Sequence, residues 1–136
     1  MQRILSGPIC CPEDSFDFLM KIWDKDLIGL QEQVNILYLN GSNEVISWRC
    51  FNTGNGSDTL FDLKLAVACG LMTIASKVIV GHNHPNCILT PSRSDILITQ
   101  KLKSACEMLD MKLEDHLIIC CRDRGFYSFA NNGLLR

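Results

Sequence analysis

Residues 78–96 read VIVGHNHPNCILTPSRSDI, and the fold is decided by how this stretch begins and ends. Lys77 to Gly81 (KVIVG) is a short apolar run of the kind that forms a strand buried on both faces. His82 to Pro91 is irregular in pattern, with prolines near both ends. At Ser92-Arg93-Ser94-Asp95 a helix opens, continuing through Ile96, Ile98, Thr99, Leu102, Ala105, Cys106 and Leu109. A strand covered on both sides, feeding a helix through one loop, belongs to an α/β domain with helices over a sheet.

The flanks extend the same pattern. On the C-terminal side, 116–121 (HLIICC) and 126–129 (FYSF) predict two strands around the charged turn CRDRG. On the N-terminal side a helix is predicted over about 59–75, preceded by a loop at 53–57 (TGNGS). Before it, 33–40 (QVNILYLN) and 44–51 (EVISWRCF) predict a β-hairpin across Asn40-Gly41-Ser42-Asn43. Pro12-Glu13-Asp14 starts a first helix with Phe16, Leu19, Met20, Trp23 and Leu27 at helical spacing.

Composition narrows the function. The 136 residues suit one domain spanning 1–136. The 47% hydrophobic and 21% charged fractions are those of a globular chain. A net charge of −2 gives no field for direct nucleic-acid binding or for an anionic membrane. The apolar stretch Leu65–Ser76 is 12 residues long, short of the roughly 20 that span a bilayer. The opening MQRILSGPICCPEDSF lacks a signal-peptide core, so a cytoplasmic location is expected. Among the eight cysteines there is no C-x-x-C, the spacing of zinc ribbons and thioredoxin-like sites. Most are expected to be reduced core thiols, with no oxidising compartment implied for a disulfide framework.

Two of the chain's three histidines form one H-x-H after the apolar run. Side chains at i and i+2 of an extended chain point the same way, so His82 and His84 can share one ion. Asp95, in the first turn of the following helix, supplies a carboxylate. Two imidazoles and one carboxylate leave a tetrahedral ion a fourth position for water, the pattern of catalytic zinc. Such an ion lowers the pKa of a coordinated water toward about 7. Ser92 could donate a hydrogen bond to a developing oxyanion. The plainer reading makes Ser92-x-x-Asp95 a helix cap, with Ser92 at the N-cap and an acid at the third helical position.

His82-Asn83-His84-Pro85, followed by Thr90-Pro91-Ser92 and Asp95, resembles the JAMM motif of MPN (JAB-type) metallopeptidase-like domains. The Asn between the histidines, the Thr-Pro-Ser and the later Asp115-His116-Leu117-Ile118-Ile119 resemble the RadC family more specifically. The resemblance covers nearly the whole chain. It implies a three-layer α-β-α sandwich with a mixed sheet, of cytidine-deaminase-like type, and a RadC catalytic-like domain standing alone. It further implies Zn2+ on His82, His84 and Asp95, with Ser92 as the motif serine. The family's glutamate precedes the first core strand, where this chain has Glu32; Glu44 is the alternative. RadC proteins typically have Ser-Gly-Asp-Pro after H-N-H-P, whereas this chain has Asn86-Cys87-Ile88-Leu89. Cys87 is then either a further metal ligand or a small apolar filler. His116 is either a structural hydrogen-bonding group or a partner that orients a ligand.

The resemblance implies a zinc metallopeptidase that cleaves an amide or isopeptide bond of a peptide or protein substrate, with Glu32 as base. The alternative is a non-catalytic, metal-stabilised binding module associated with DNA-repair or mobile-element processes. A zinc deaminase is disfavoured, because those enzymes use H-x-E with P-C-x-x-C.

Overall fold

Strand alternation sorts the apolar residues into two cores, one on each face of a single sheet. The computed structural model describes residues 7–52, 60–120 and 125–136. In chain order the elements are α1 (Pro12–Ile22), β1 (Gln33–Leu39), β2 (Val45–Asn52), α2 (Leu63–Met72), β3 (Lys77–Asn83), α3 (Arg93–Met108), β4 (Lys112–Ile119) and β5 (Phe126–Ser128). The sheet order is β2-β1-β3-β4-β5. Among the described strands only the β3–β4 pair is parallel, and α3 is its crossover; β1 pairs antiparallel with both β2 and β3, and β5 antiparallel with β4.

Val34, Ile36 and Tyr38 of β1 pack with Val78 and Val80 of β3 against α2 and α3, where Ala66, Cys69, Ile98, Leu102 and Cys106 meet them. Leu37, Leu39 and Ile79 point the other way, onto Phe16, Leu19 and Trp23 of the α1 side. The result is the expected α-β-α layering around a mixed sheet. Gly81 of β3 is required by the approach of α1: a Cβ there would come within 2.6 Å of Leu19 Cδ1, and Leu19 is wholly buried. No helix among the described residues is long and apolar enough to cross a membrane.

Boundaries differ from the sequence reading for local reasons. β3 runs to Asn83, because His82 still pairs with Val34 on one side and Ile118 on the other. α1 stops at Ile22; the Asp24 side chain accepts from the Asp26 amide at 2.9 Å and turns the chain, leaving Leu27 outside the helix. α2 begins only at Leu63, capped by the Asp62 side chain, and ends at Met72, ahead of Ile74 in a left-handed conformation (φ 54°). β4 starts at Lys112, earlier than its apolar half suggests. Val78 pairs with Leu113 but Ile79 with Asp115, so Glu114 is an extra residue in β4 that breaks the period of two. The expected loop at 53–57 and most of the CRDRG turn lie outside the described residues.

Candidate metal centre

The ends of β3 and β4 and the start of α3 meet on the α3 face of the sheet. His82 continues the inward series of Val78 and Val80, and His84 follows it just past the end of the strand. Their Nε2 atoms are 2.9 Å apart. Asp95 Oδ2 lies 3.4 Å from Nε2 of His82 and 3.5 Å from Nε2 of His84. One donor atom from each of Glu32, His82, His84 and Asp95 falls within 4.8 Å of every other, so the four could hold one metal ion. Glu32 comes from the segment just before β1. Glu44 is elsewhere, in the β1–β2 turn, where it accepts from Asn40 Nδ2 at 3.0 Å.

The outward-facing ring atoms fix what the inward-facing ones can do. His84 Nδ1 is 2.5 Å from the Ile88 carbonyl oxygen, which can only accept. The proton of a neutral His84 therefore sits on Nδ1, and Nε2 presents a lone pair to the cluster. His82 Nδ1 faces His116 Nε2 at 2.7 Å, again leaving Nε2 toward the cluster. His82 and His116 are wholly buried. Two imidazole nitrogens and two carboxylates facing one another at these distances form a donor set that could hold a metal ion.

Ionisation follows the same geometry. Burial alone would raise the Asp95 carboxyl, but His82, His84 and the Ser92 amide outweigh it and hold Asp95 far below the usual carboxylate range. The Asp95 carboxylate in turn raises His84 against the opposing effect of its burial. Burial of His116 drives its pKa well below the ordinary imidazole value, with the His82 ring adding to the effect.

Ser92 caps α3. Its Oγ accepts from the Asp95 amide at 3.0 Å, and its own amide donates to Asp95 Oδ2 at 2.9 Å, a complete capping box. The cap thus aims the carboxylate that faces the histidines, and the Ser92 hydroxyl proton is left to donate elsewhere.

Two contributors were not read from the sequence as site residues. Asn83, on the opposite face of β3 from His82, is wholly buried; its Oδ1 accepts from Gln33 N at 2.7 Å, and its Nδ2 donates to the carbonyls of Ile28 (2.7 Å) and Gln31 (2.8 Å). It clamps the segment that carries Glu32. Thr99 joins His116 to α3, with Oγ1 2.7 Å from His116 Nδ1 and 2.6 Å from the Asp95 carbonyl oxygen. The H-N-H spacing was a signal for Asn83; a threonine on an apolar helix face gives none.

The cysteine expectations need correction. Cys87 is neither a metal ligand nor an apolar filler: it is disulfide-bonded to Cys120, with Cα atoms 4.9 Å apart. The pairing follows from the strand ends, because the His84 amide donates to the Ile119 carbonyl at 3.0 Å and brings the loop against β4. Cys69 and Cys106 are buried free thiols as expected, but Cys10, Cys11 and Cys50 are exposed. Cys121 lies outside the described residues.

Comparison with known proteins places this architecture. Residues 9–134 match the RadC-like JAB domain family. A UPF0758 protein of Flavobacterium johnsoniae is 42% identical over 103 residues, which are 76% of this chain and 44% of that protein. A UPF0758 protein of Porphyromonas gingivalis is 39% identical over 105 residues, 77% of this chain and 46% of that protein. UPF0758 protein YfjY of Escherichia coli (strain K12) is 39% identical over 110 residues, 80% of this chain and 68% of that protein. The chain thus spans less than half the length of the first two relatives. The family match runs through every described helix and strand, from ahead of α1 to beyond β5, and on that extent the chain belongs to the RadC-like JAB domain family.

Proposed function

We propose that this domain is a zinc-dependent hydrolase of amide or isopeptide bonds in a peptide or protein substrate. His82, His84 and Asp95 hold the zinc, and Glu32 is the general base. The supporting observation is the orientation of the two histidines. Each engages Nδ1 with a partner, the Ile88 carbonyl for His84 and the His116 ring for His82, so both turn Nε2 toward one point, the two atoms 2.9 Å apart and 3.4 and 3.5 Å from the Asp95 carboxylate. In the absence of a cation or a proton that arrangement is repulsive.

Zinc bound there supplies Lewis acidity toward the scissile carbonyl and toward the attacking water. Glu32, at the rim of the cluster, takes the proton of the attacking water and delivers it to the nitrogen of the leaving amine. Asp95 stays ionised, fixed by the Ser92 amide. The Ser92 hydroxyl, its oxygen already accepting from Asp95 N, has its proton available for the carbonyl oxygen as negative charge develops.

The disulfide that closes the altered 86–89 loop favours a second reading, a metal-stabilised module that binds without turnover. One substitution separates the two. In zinc-loaded protein presented with peptide and isopeptide substrates, Glu32→Gln should leave bound zinc unchanged and lower hydrolysis by about 100-fold or more. Wild-type protein that retains zinc and cleaves nothing supports the module. A Glu32→Gln variant as active as wild type removes Glu32 from the mechanism.

A further inference from the structure

Behind His82 runs a hydrogen-bond chain whose direction is set at its far end. Thr99 Oγ1 lies 2.6 Å from the Asp95 carbonyl oxygen and 2.7 Å from His116 Nδ1. The carbonyl only accepts, so the single hydroxyl proton of Thr99 goes to it, and the hydroxyl oxygen is left as an acceptor for His116. Nδ1 of His116 therefore carries that ring's proton. The ring is wholly buried and stacked on Phe129, with centroids 4.4 Å apart and planes within 9°. A neutral imidazole has one N–H, so His116 Nε2 accepts, and the group facing it at 2.7 Å, His82 Nδ1, must donate. His82 Nε2 is then left as the lone pair. The proton positions thus follow from the Asp95 carbonyl, the one group in this hydrogen-bond chain that can only accept.

We propose that Thr99 and His116 are positioning residues that hold His82 in the one tautomer able to bind a cation. This rests on the metal-centre reading above. Without the Thr99 oxygen, His116 Nδ1–H is a buried donor with no acceptor, and the ring does better with its proton on Nε2. That proton is then offered to His82 Nδ1, which must accept. The His82 proton moves to Nε2, into the position a ligand lone pair needs. The same chain ties together the elements that build the site, since it runs from β3 through β4 to the backbone of Asp95 on α3. The extra residue Glu114 makes this possible. Strict alternation from Leu113, which faces α3, would turn His116 toward α1; the register shift returns it to the α3 face beside His82.

The tautomer can be read without metal, by nitrogen-correlated NMR of the histidine rings in the full chain at neutral pH. Zinc affinity is read separately by competition with a chelator. Wild type should show His82 protonated on Nδ1. Thr99→Val, close in shape but lacking the hydroxyl, should move that proton to Nε2 and weaken zinc binding by about 10-fold or more. Thr99→Ser should restore both readouts, which a purely packing role for the threonine would not do. If valine is not accommodated, Thr99→Ala removes the same hydroxyl and is read in the same way. The inference is overturned if the hydroxyl-free variant keeps His82 protonated on Nδ1 with wild-type zinc affinity. Wild-type protein that shows the expected tautomer and binds no zinc would sink the metal reading instead, and leave the tautomer relay standing.

Discussion

Asn83 shows how a single side chain connects the two faces of the sheet. Its three hydrogen bonds reach back to the segment from Ile28 to Gln33, so replacement by Ala strands a buried amide and two carbonyls. The two groups left buried, the Gln33 amide and the Ile28 carbonyl, each cost on the order of 1–3 kcal/mol, and the carbonyl of the exposed Gln31 costs less. Asn83→Ala should therefore lower stability to denaturant and reduce hydrolysis more than zinc content, because Glu32 is released while His82 and His84 keep their own partners. Equal loss of zinc and activity would argue that Asn83 supports the histidines instead. His84 gives a pH prediction. Asp95 raises its pKa above the ordinary 6.5, and a protonated Nε2 cannot bind a cation. Zinc affinity should be full above that raised pKa and fall as pH drops through it; chelator competition from about pH 8 to pH 5 checks this, and a flat profile contradicts it. At this scale the sequence showed the donor types but not their partners. Asn83 bonds to residues 50 to 55 positions away, and nothing local in Glu32 or Glu44 said which end of β1 held the site.

The loop after β3 is where this chain departs most from the family pattern it resembles. Cys87 occupies the position of the RadC glycine and adopts φ 61°, the left-handed conformation that glycine takes freely and other residues reach at a cost of about 1–2 kcal/mol. The turn is held by the Asn86 side chain, which accepts from the Ile88 amide at 3.0 Å, and by the Cys87 amide, which donates to the His84 carbonyl at 2.8 Å. Bonding to Cys120 closes a loop with a sequence separation of 33 residues, worth roughly 3–4 kcal/mol by the chain-entropy account. Reduction, or Cys120→Ser, should lower the denaturation free energy toward that amount. In the Cys120→Ser background, Cys87→Gly should recover up to about 1 kcal/mol by relieving the backbone. No difference between the reduced and oxidised wild type would deny the bridge a stabilising role. Among the elements, β1, β3 and the start of α3 were legible because hydrophobic period and capping residues agree there. The N-terminal half of β4 was not, since the extra Glu114 erases its alternation, and α1 was read too long because an Asx turn competes with helical spacing around Asp24.

For the whole molecule, one packed core lies on each face of the sheet, and the polar groups converge where β3 and β4 end and α3 begins. Helices over a sheet were legible from the apolar runs and helical spacing, while the three-layer α-β-α arrangement was what the family resemblance implied. How four donors from three separate segments come within reach of one ion was not, since that depends on sheet order and register. A cation that binds only the folded chain stabilises it by mass action, about 2.7 kcal/mol at 100 times its dissociation constant, so chelation should lower the melting temperature. Whether a cation belongs at this point is the claim on which the rest depends, and metal analysis of purified chain tests it most directly. Wild type should carry about one zinc per chain, and His82→Ala and Asp95→Ala should each lose it. Zinc content unchanged in both variants would contradict the account.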